Sequence, residues 1–206
     1  KQEKLFVYGS GNLKRILIYG LGDRGKASPD FIRMEGANIY SYANSKGITS
    51  VSLYLDSFKL DKKDSSQSML EGLFLGSYFF NDYRSSKSTN KVKARDLDIV
   101  VENLDLKTVK ATASKAYALS ESVSLARDLG NQPANLCTPT YLANTAVNIA
   151  KAKNMISEVF DVKEFEKMNL GSFYGVARGA KEPAKFILVE YNGGKKNDPP
   201  IGLIGK

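Results

Sequence analysis

The chain has 206 residues, with 42% hydrophobic and 25% charged content, which is ordinary for a globular protein and enough for one large domain or two small ones with their own cores. It has no histidine and one cysteine, Cys137, which excludes Ser-His-Asp and Cys-His nucleophiles, histidine metal ligands, cysteine zinc cages and an internal disulfide. Thirty Lys and Arg against 22 Asp and Glu leave a net charge of +8, which by itself argues only weak, non-specific attraction to polyanions; with one cysteine, no signal-like apolar start and no apolar run of membrane length, a cytoplasmic address is expected.

In chain order, Leu5–Tyr8 and Arg15–Tyr19 are short β-branched or aromatic runs separated by Gly9-Ser10-Gly11-Asn12, the pattern of a hairpin. Gly20 to Gly25 forms a glycine-rich turn, and Ser28-Pro29 then offers a capping hydroxyl followed by proline at the first helical position. The spacing of Phe31, Ile32, Ala37, Ile39, Tyr40 and Ala43 predicts a helix that Asn44 to Gly47 ends. Ile48 to Leu55 alternates like a half-buried strand. A helix is predicted from about Ser66 to Tyr83, with Met69, Leu73, Phe80 and Tyr83 on one face, and Leu97 to Val101 reads as another strand.

From Leu106 to Leu129 the positions Val109, Ala113, Ala116, Leu119, Val123 and Ala126 recur in steps of three and four, a helix long enough to link two domains. Gly130 and the turn-forming Asn-Gln-Pro-Ala-Asn run are expected to stop it. Thr138-Pro139 opens a further helix carrying Leu142, Ala146 and Ile149, followed by a short strand near Val159 and a short helix from about Val162 to Met168. Lys185 to Tyr191 and Ile201 to Ile204 read as closing strands. Strands alternating with helices imply an α/β fold with a mostly parallel sheet. An apolar strand at Ile201 to Ile204 with nothing beyond it to cover it implies that the chain is part of a longer protein.

Several motifs invite a functional reading. Gly20-Leu21-Gly22-Asp23-Arg24-Gly25 matches the dinucleotide fingerprint in letters, but Ser28-Pro29 puts the helix start after the third glycine, and the next acidic strand end, Asp56, lies well beyond the usual distance of about 20 residues. A turn that binds no dinucleotide is expected, with backbone capture of another anion the weaker reading. Cys137 precedes a helix start but has no cationic neighbour in sequence, so it reads as inert. The basic cluster Lys87 to Arg95 and the pair Lys195-Lys196 read as solvated loop charges, and the aromatics interleaved with lysines before residue 83 fall mostly at core spacing rather than on a nucleic-acid stacking surface. Lys206 follows Gly205 at the carboxyl end of a predicted buried strand, where open α/β sheets bind ligands, although position alone favours a solvated lysine.

The stretches ARDLGNQPANLCTPT at 126–140, LGSFYGVARGAKEPAKFILVEY at 170–191 and the final PPIGLIGK resemble the leucyl (cytosol) aminopeptidase family of metallopeptidases. Gln132 and Ala184 stand where the family carries Glu and Pro. The resemblance implies a macro-domain-like amino-terminal domain over 1–105 lacking its first strands, a linking helix over 106–130, and the start of an α/β metallopeptidase domain over 131–206. It further implies two divalent metal ions, zinc or manganese, in the complete enzyme, with Lys206 as one metal ligand and no catalytic residue inside this chain. Peptides with a free amino terminus would be the substrates and a homohexamer the assembly. A nucleotide- or nucleic-acid-binding module is the alternative function.

Overall fold

In a computed structural model the chain is described at residues 3–9, 11, 15–23, 27–57, 63–83, 96–165, 167–195 and 197–205. It divides into two compact units, Lys1–Asp128 and Leu129–Lys206.

In the first unit, β1 (Lys4–Tyr8) and β2 (Arg15–Tyr19) form the expected antiparallel hairpin, with Leu5 opposite Ile18 and Val7 opposite Ile16. Helix α1 (Pro29–Ser45) begins where the Ser-Pro pair places it, Ser28 Oγ accepting a hydrogen bond from the Phe31 amide at 3.2 Å. It ends on Gly47 at φ +63°, with Gly47 N–H donating to the Asn44 carbonyl and Ile48 N–H to the Ala43 carbonyl. That is the paired closure for which a left-handed glycine suits a helix end. Strand β3 (Ser50–Tyr54) pairs in parallel with β4 (Asp96–Val100), Leu53 opposite Ile99, and leads into a short 3-10 turn at Leu55–Ser57.

Helix α2 (Lys63–Gly76) crosses α1 at glycines. A Cβ on Gly36 would lie 2.5 Å from the Met69 carbonyl oxygen and 3.0 Å from Gly72 Cα, and one on Gly72 would strike the Arg33 carbonyl. The two backbones therefore touch with no side chain between them. Ile32 and Ile39 of α1, Met69, Leu70 and Leu73 of α2 and Ala116 of α3 (Leu106–Asn131) make the core, with Leu53, Leu97 and Ile99 of the parallel pair packed against it. On α3 the buried residues Val109, Thr112, Ala116 and Ser120 follow steps of three and four, so one stripe faces inward.

Two buried carboxylates lie among these apolar groups. Glu35, in helical register with Ile32 and Ile39, accepts hydrogen bonds from the Tyr19 hydroxyl at 2.5 Å and from Asn38 Nδ2 at 3.3 Å. Glu71 accepts from Arg33 Nε at 2.8 Å and Gln67 Nε2 at 2.6 Å. Desolvation of a carboxylate is tolerable only with such partners. Burial, and then the Glu35 carboxylate, push the Tyr19 hydroxyl well above the usual tyrosine range.

The predicted helix of 66–83 is shorter than expected. It closes at Gly76, Ser77 donating from both its amide and its hydroxyl to the Phe74 carbonyl, and the following residues leave the helix. The Tyr78 hydroxyl donates to Asp128 Oδ1 at 2.9 Å and the Arg127 guanidinium stacks 5.2 Å from the Tyr78 ring. Phe80 and Tyr83 thus pair with each other at 5.8 Å outside any helix, instead of extending the apolar face of α2.

The second unit starts with the end of α3, one residue past the predicted stop at Gly130, and a turn into α4 (Pro139–Ala152), capped by Thr138 Oγ1 accepting from the Tyr141 amide. Strands β5 (Ile156–Asp161) and β6 (Lys185–Glu190) pair antiparallel. Between them lie α5 (Val162–Phe165) and α6 (Gly171–Ala177), the latter not expected from the sequence. Phe165 is the centre of the packing, edge-on to Phe173 at 5.1 Å, while Phe173 is edge-on to Phe186 at 5.7 Å.

Two expectations are corrected. Among the described residues the strands form three separate pairs, of which only β3–β4 is parallel, so the mostly parallel sheet is not what forms. The chain leaves β5 at Asp161 and enters β6 opposite it at Lys185, so α5 and α6 stay at one end of the pair rather than crossing back as a parallel connection requires. Ile201–Ile204 forms no strand either. Ile201, Leu203 and Ile204 are 90 to 100% exposed, and among the described residues none pairs with this segment as a strand.

Candidate functional site

Three places come into question: the glycine turn after β2, the carboxyl ends of β3 and β4, and the segments that lead to Lys206, the first and last marked by the sequence and the second by the parallel pair.

The glycine turn is held by backbone geometry. Gly20 N–H donates to the Glu3 carbonyl at 2.9 Å, and a Cβ there would lie 3.3 Å from the same oxygen, while Gly22 takes φ +79°. Gly22 therefore has a structural need for glycine, while a side chain at Gly20 would be tight against the Glu3 carbonyl. Arg24 and Gly25 lie outside the described residues, and α1 starts only at Pro29, after a cap at Ser28. A dinucleotide site needs that glycine inside the helix for close packing and an open helix terminus for the pyrophosphate. Titration of the chain with NAD, followed by tyrosine fluorescence or calorimetry, is expected to show no saturable binding below the millimolar range; a micromolar constant would overturn this reading.

At the carboxyl ends of the parallel pair, where α/β folds place ligands, the polar groups engage one another. Asp56 accepts from the Glu102 amide at 2.7 Å and the Asn103 amide at 2.8 Å, tying the turn after β3 to the loop after β4. Those two amides hold the Asp56 carboxyl below the usual carboxylate range. Tyr54 donates to Glu102 Oε2 at 2.7 Å, and Asp105 caps α3 through the Thr108 hydroxyl and amide, which lower its pKa in turn. A carboxyl with a depressed folded pKa stabilises the folded form above its unfolded pKa, and that contribution is lost as pH falls through the folded value. Protection of the Glu102 and Asn103 amides, taken relative to the intrinsic exchange rate at each pH, is therefore expected to fall in acid, below about pH 4, and Asp56→Ala should bring the same loss of protection at neutral pH. Unchanged protection in the variant would sink the clasp.

The third place assembles least. Arg127 and Asp128 are engaged with Leu75 and Tyr78 inside the first unit. The amides of Leu136 and Cys137 both donate to the Pro133 carbonyl, at 2.9 and 3.0 Å, making a tight turn that delivers Thr138 to its capping position. Cys137 is half-buried and free. In the 170–191 stretch, Phe173 and Tyr174 pack against Phe165, Phe186 packs against Phe173, and Lys185 pairs with Asp161 across β5–β6. Residues 201–205 form neither helix nor strand, and Lys206 lies outside the described residues, as do Lys196 and the basic cluster Lys87 to Arg95. Among the described residues no three Asp, Glu or Cys side chains come together as a metal site.

The buried Glu35 and Glu71 went unnoticed in the sequence. Glu35 was detectable, since it shares the helical face of Ile32 and Ile39, but its partners Tyr19 and Asn38 make it part of the packing.

Residues 1–87 match the model of the amino-terminal domain of the cytosol aminopeptidase family, and residues 124–206 match the model of that family's catalytic domain. The chain belongs to the cytosol aminopeptidase family. It is 30% identical over 210 residues to a probable cytosol aminopeptidase of Pseudomonas syringae pv. tomato, covering 99% of this chain and 42% of that protein. Similarity to a probable cytosol aminopeptidase of Ralstonia pickettii is 34% over 203 residues, covering 93% of this chain and 40% of the relative. The cytosol aminopeptidase of Pseudomonas aeruginosa is 30% identical over 210 residues, with 99% and 42% covered. The chain thus spans about two fifths of the length of these relatives. Among solved structures, the bottromycin maturation enzyme BotP in complex with Mn superposes with a TM-score of 0.78 at 21% identity, over 92% of this chain and 39% of that one. A mutant of tomato leucine aminopeptidase superposes with a TM-score of 0.77 at 24% identity, over 94% and 39%. At these identities the superpositions establish a shared α/β fold. Among the described residues no helix is long and apolar enough to cross a membrane.

Proposed function

We propose that this chain is the leading part of a cytoplasmic, metal-dependent aminopeptidase that removes amino-terminal residues from peptides. The observation that carries the reading is the match of residues 124–206 to the catalytic domain of the cytosol aminopeptidase family. On this reading residues 1–105 are a macro-like leading domain, 106–130 a linking helix and 131–206 the start of the peptidase domain. Lys206 is one ligand of a pair of divalent ions, manganese or zinc, whose other ligands, Asp and Glu, belong to the remainder of the catalytic domain. Manganese is supported by the metal in the BotP structure. The absence of histidine is compatible with such a centre, because carboxylates can hold two cations that acidify a bridging water. Lys206 ligates only as the neutral amine, and an adjacent cation favours that form by lowering its pKa. The assembly is a homohexamer, as the family resemblance implies.

The test compares this 206-residue chain with the full-length protein on leucine amide, each with added manganese or zinc. The full-length protein should turn over and the chain alone should not, since one lysine cannot hold a metal pair. Turnover by the purified chain, or a full-length protein inactive with either metal, would overturn the proposal.

A further inference from the structure

We draw no further inference here: the strongest candidate, the exposed apolar face of the β1–β2 hairpin formed by Leu5, Val7, Ile16 and Ile18, carries nothing because nothing in the structure shows what covers it.

Discussion

Replacing Gly72 with alanine is expected to destabilise the first unit by about 3 kcal/mol or more, toward the upper end of what overpacking a core costs. In an isolated helix the same change would be favourable by about 1 kcal/mol, since alanine is the better helix former. The sign reverses here because the new methyl group meets backbone, the Arg33 carbonyl of α1 and Gly36 Cα at 3.0 Å, and backbone cannot rotate away. The helices would have to separate, loosening Ile32, Met69 and Leu73 and the Arg33–Glu71 ion pair that spans them. Gly130 in α3 is the internal control: nothing lies within 4 Å of a Cβ there, so Gly130→Ala should be neutral or stabilising by about 0.5 to 1 kcal/mol. Thermal unfolding followed by circular dichroism should show a Tm lower by roughly 10 °C for the first variant and an unchanged or higher Tm for the second. Equal effects of the two changes would show that the α1–α2 contact is not as close as described.

The elements that were legible in the sequence are those decided by neighbours along the chain. Ser28-Pro29 and Thr138-Pro139 place two helix starts because a capping hydroxyl needs only the amide three residues on, and Gly47 places an end because only its own φ is at stake. The long α3 was legible from its periodicity. What was misread depends on distant partners. Gly76 ends α2 although the apolar spacing runs on to Tyr83, because Tyr78 gains Asp128 and Arg127, fifty residues away, as partners. Helix α6 has glycines at 171 and 175 and no side-chain cap, so it has little intrinsic helical tendency; it forms where Phe173 and Tyr174 reach Phe165. Strand direction was likewise beyond local reading, since Asp161 and Lys185 meet only through the packing of the elements between them. For the site, position alone marks Lys206 as a lysine after an apolar run; the ligand role proposed for it rests only on the resemblance to the family motif that ends in Gly-Lys. The glycine fingerprint is the opposite case, a complete match in letters at a place where the positive φ of Gly22 already gives that glycine a structural reason.

Lys206→Arg in the full-length protein is expected to lower metal content at one of two positions and to reduce turnover by a large factor, which excess metal restores only in part. Arginine keeps the positive charge and much of the length but stays protonated to a pKa above about 12, so it has no lone pair to offer a cation. A lysine ammonium can lose its proton beside a metal ion, because the charge of the ion disfavours a second positive group and the resulting amine is itself a ligand. The substitution therefore separates two roles that neutral replacements confuse. If Lys206 only orients a substrate carbonyl or is solvated, its charge is what matters, and the arginine variant should hold two ions per chain. If it is a ligand, the variant should hold fewer, with the deficit persisting at manganese concentrations that saturate the parent protein. Metal stoichiometry on the purified variant decides between them independently of activity, and a circular dichroism spectrum matching the parent's excludes loss of metal through misfolding. Two ions per chain retained in a folded Lys206→Arg protein would remove the ligand assignment while leaving the family membership untouched, since that rests on residues 1–87 and 124–206 as a whole.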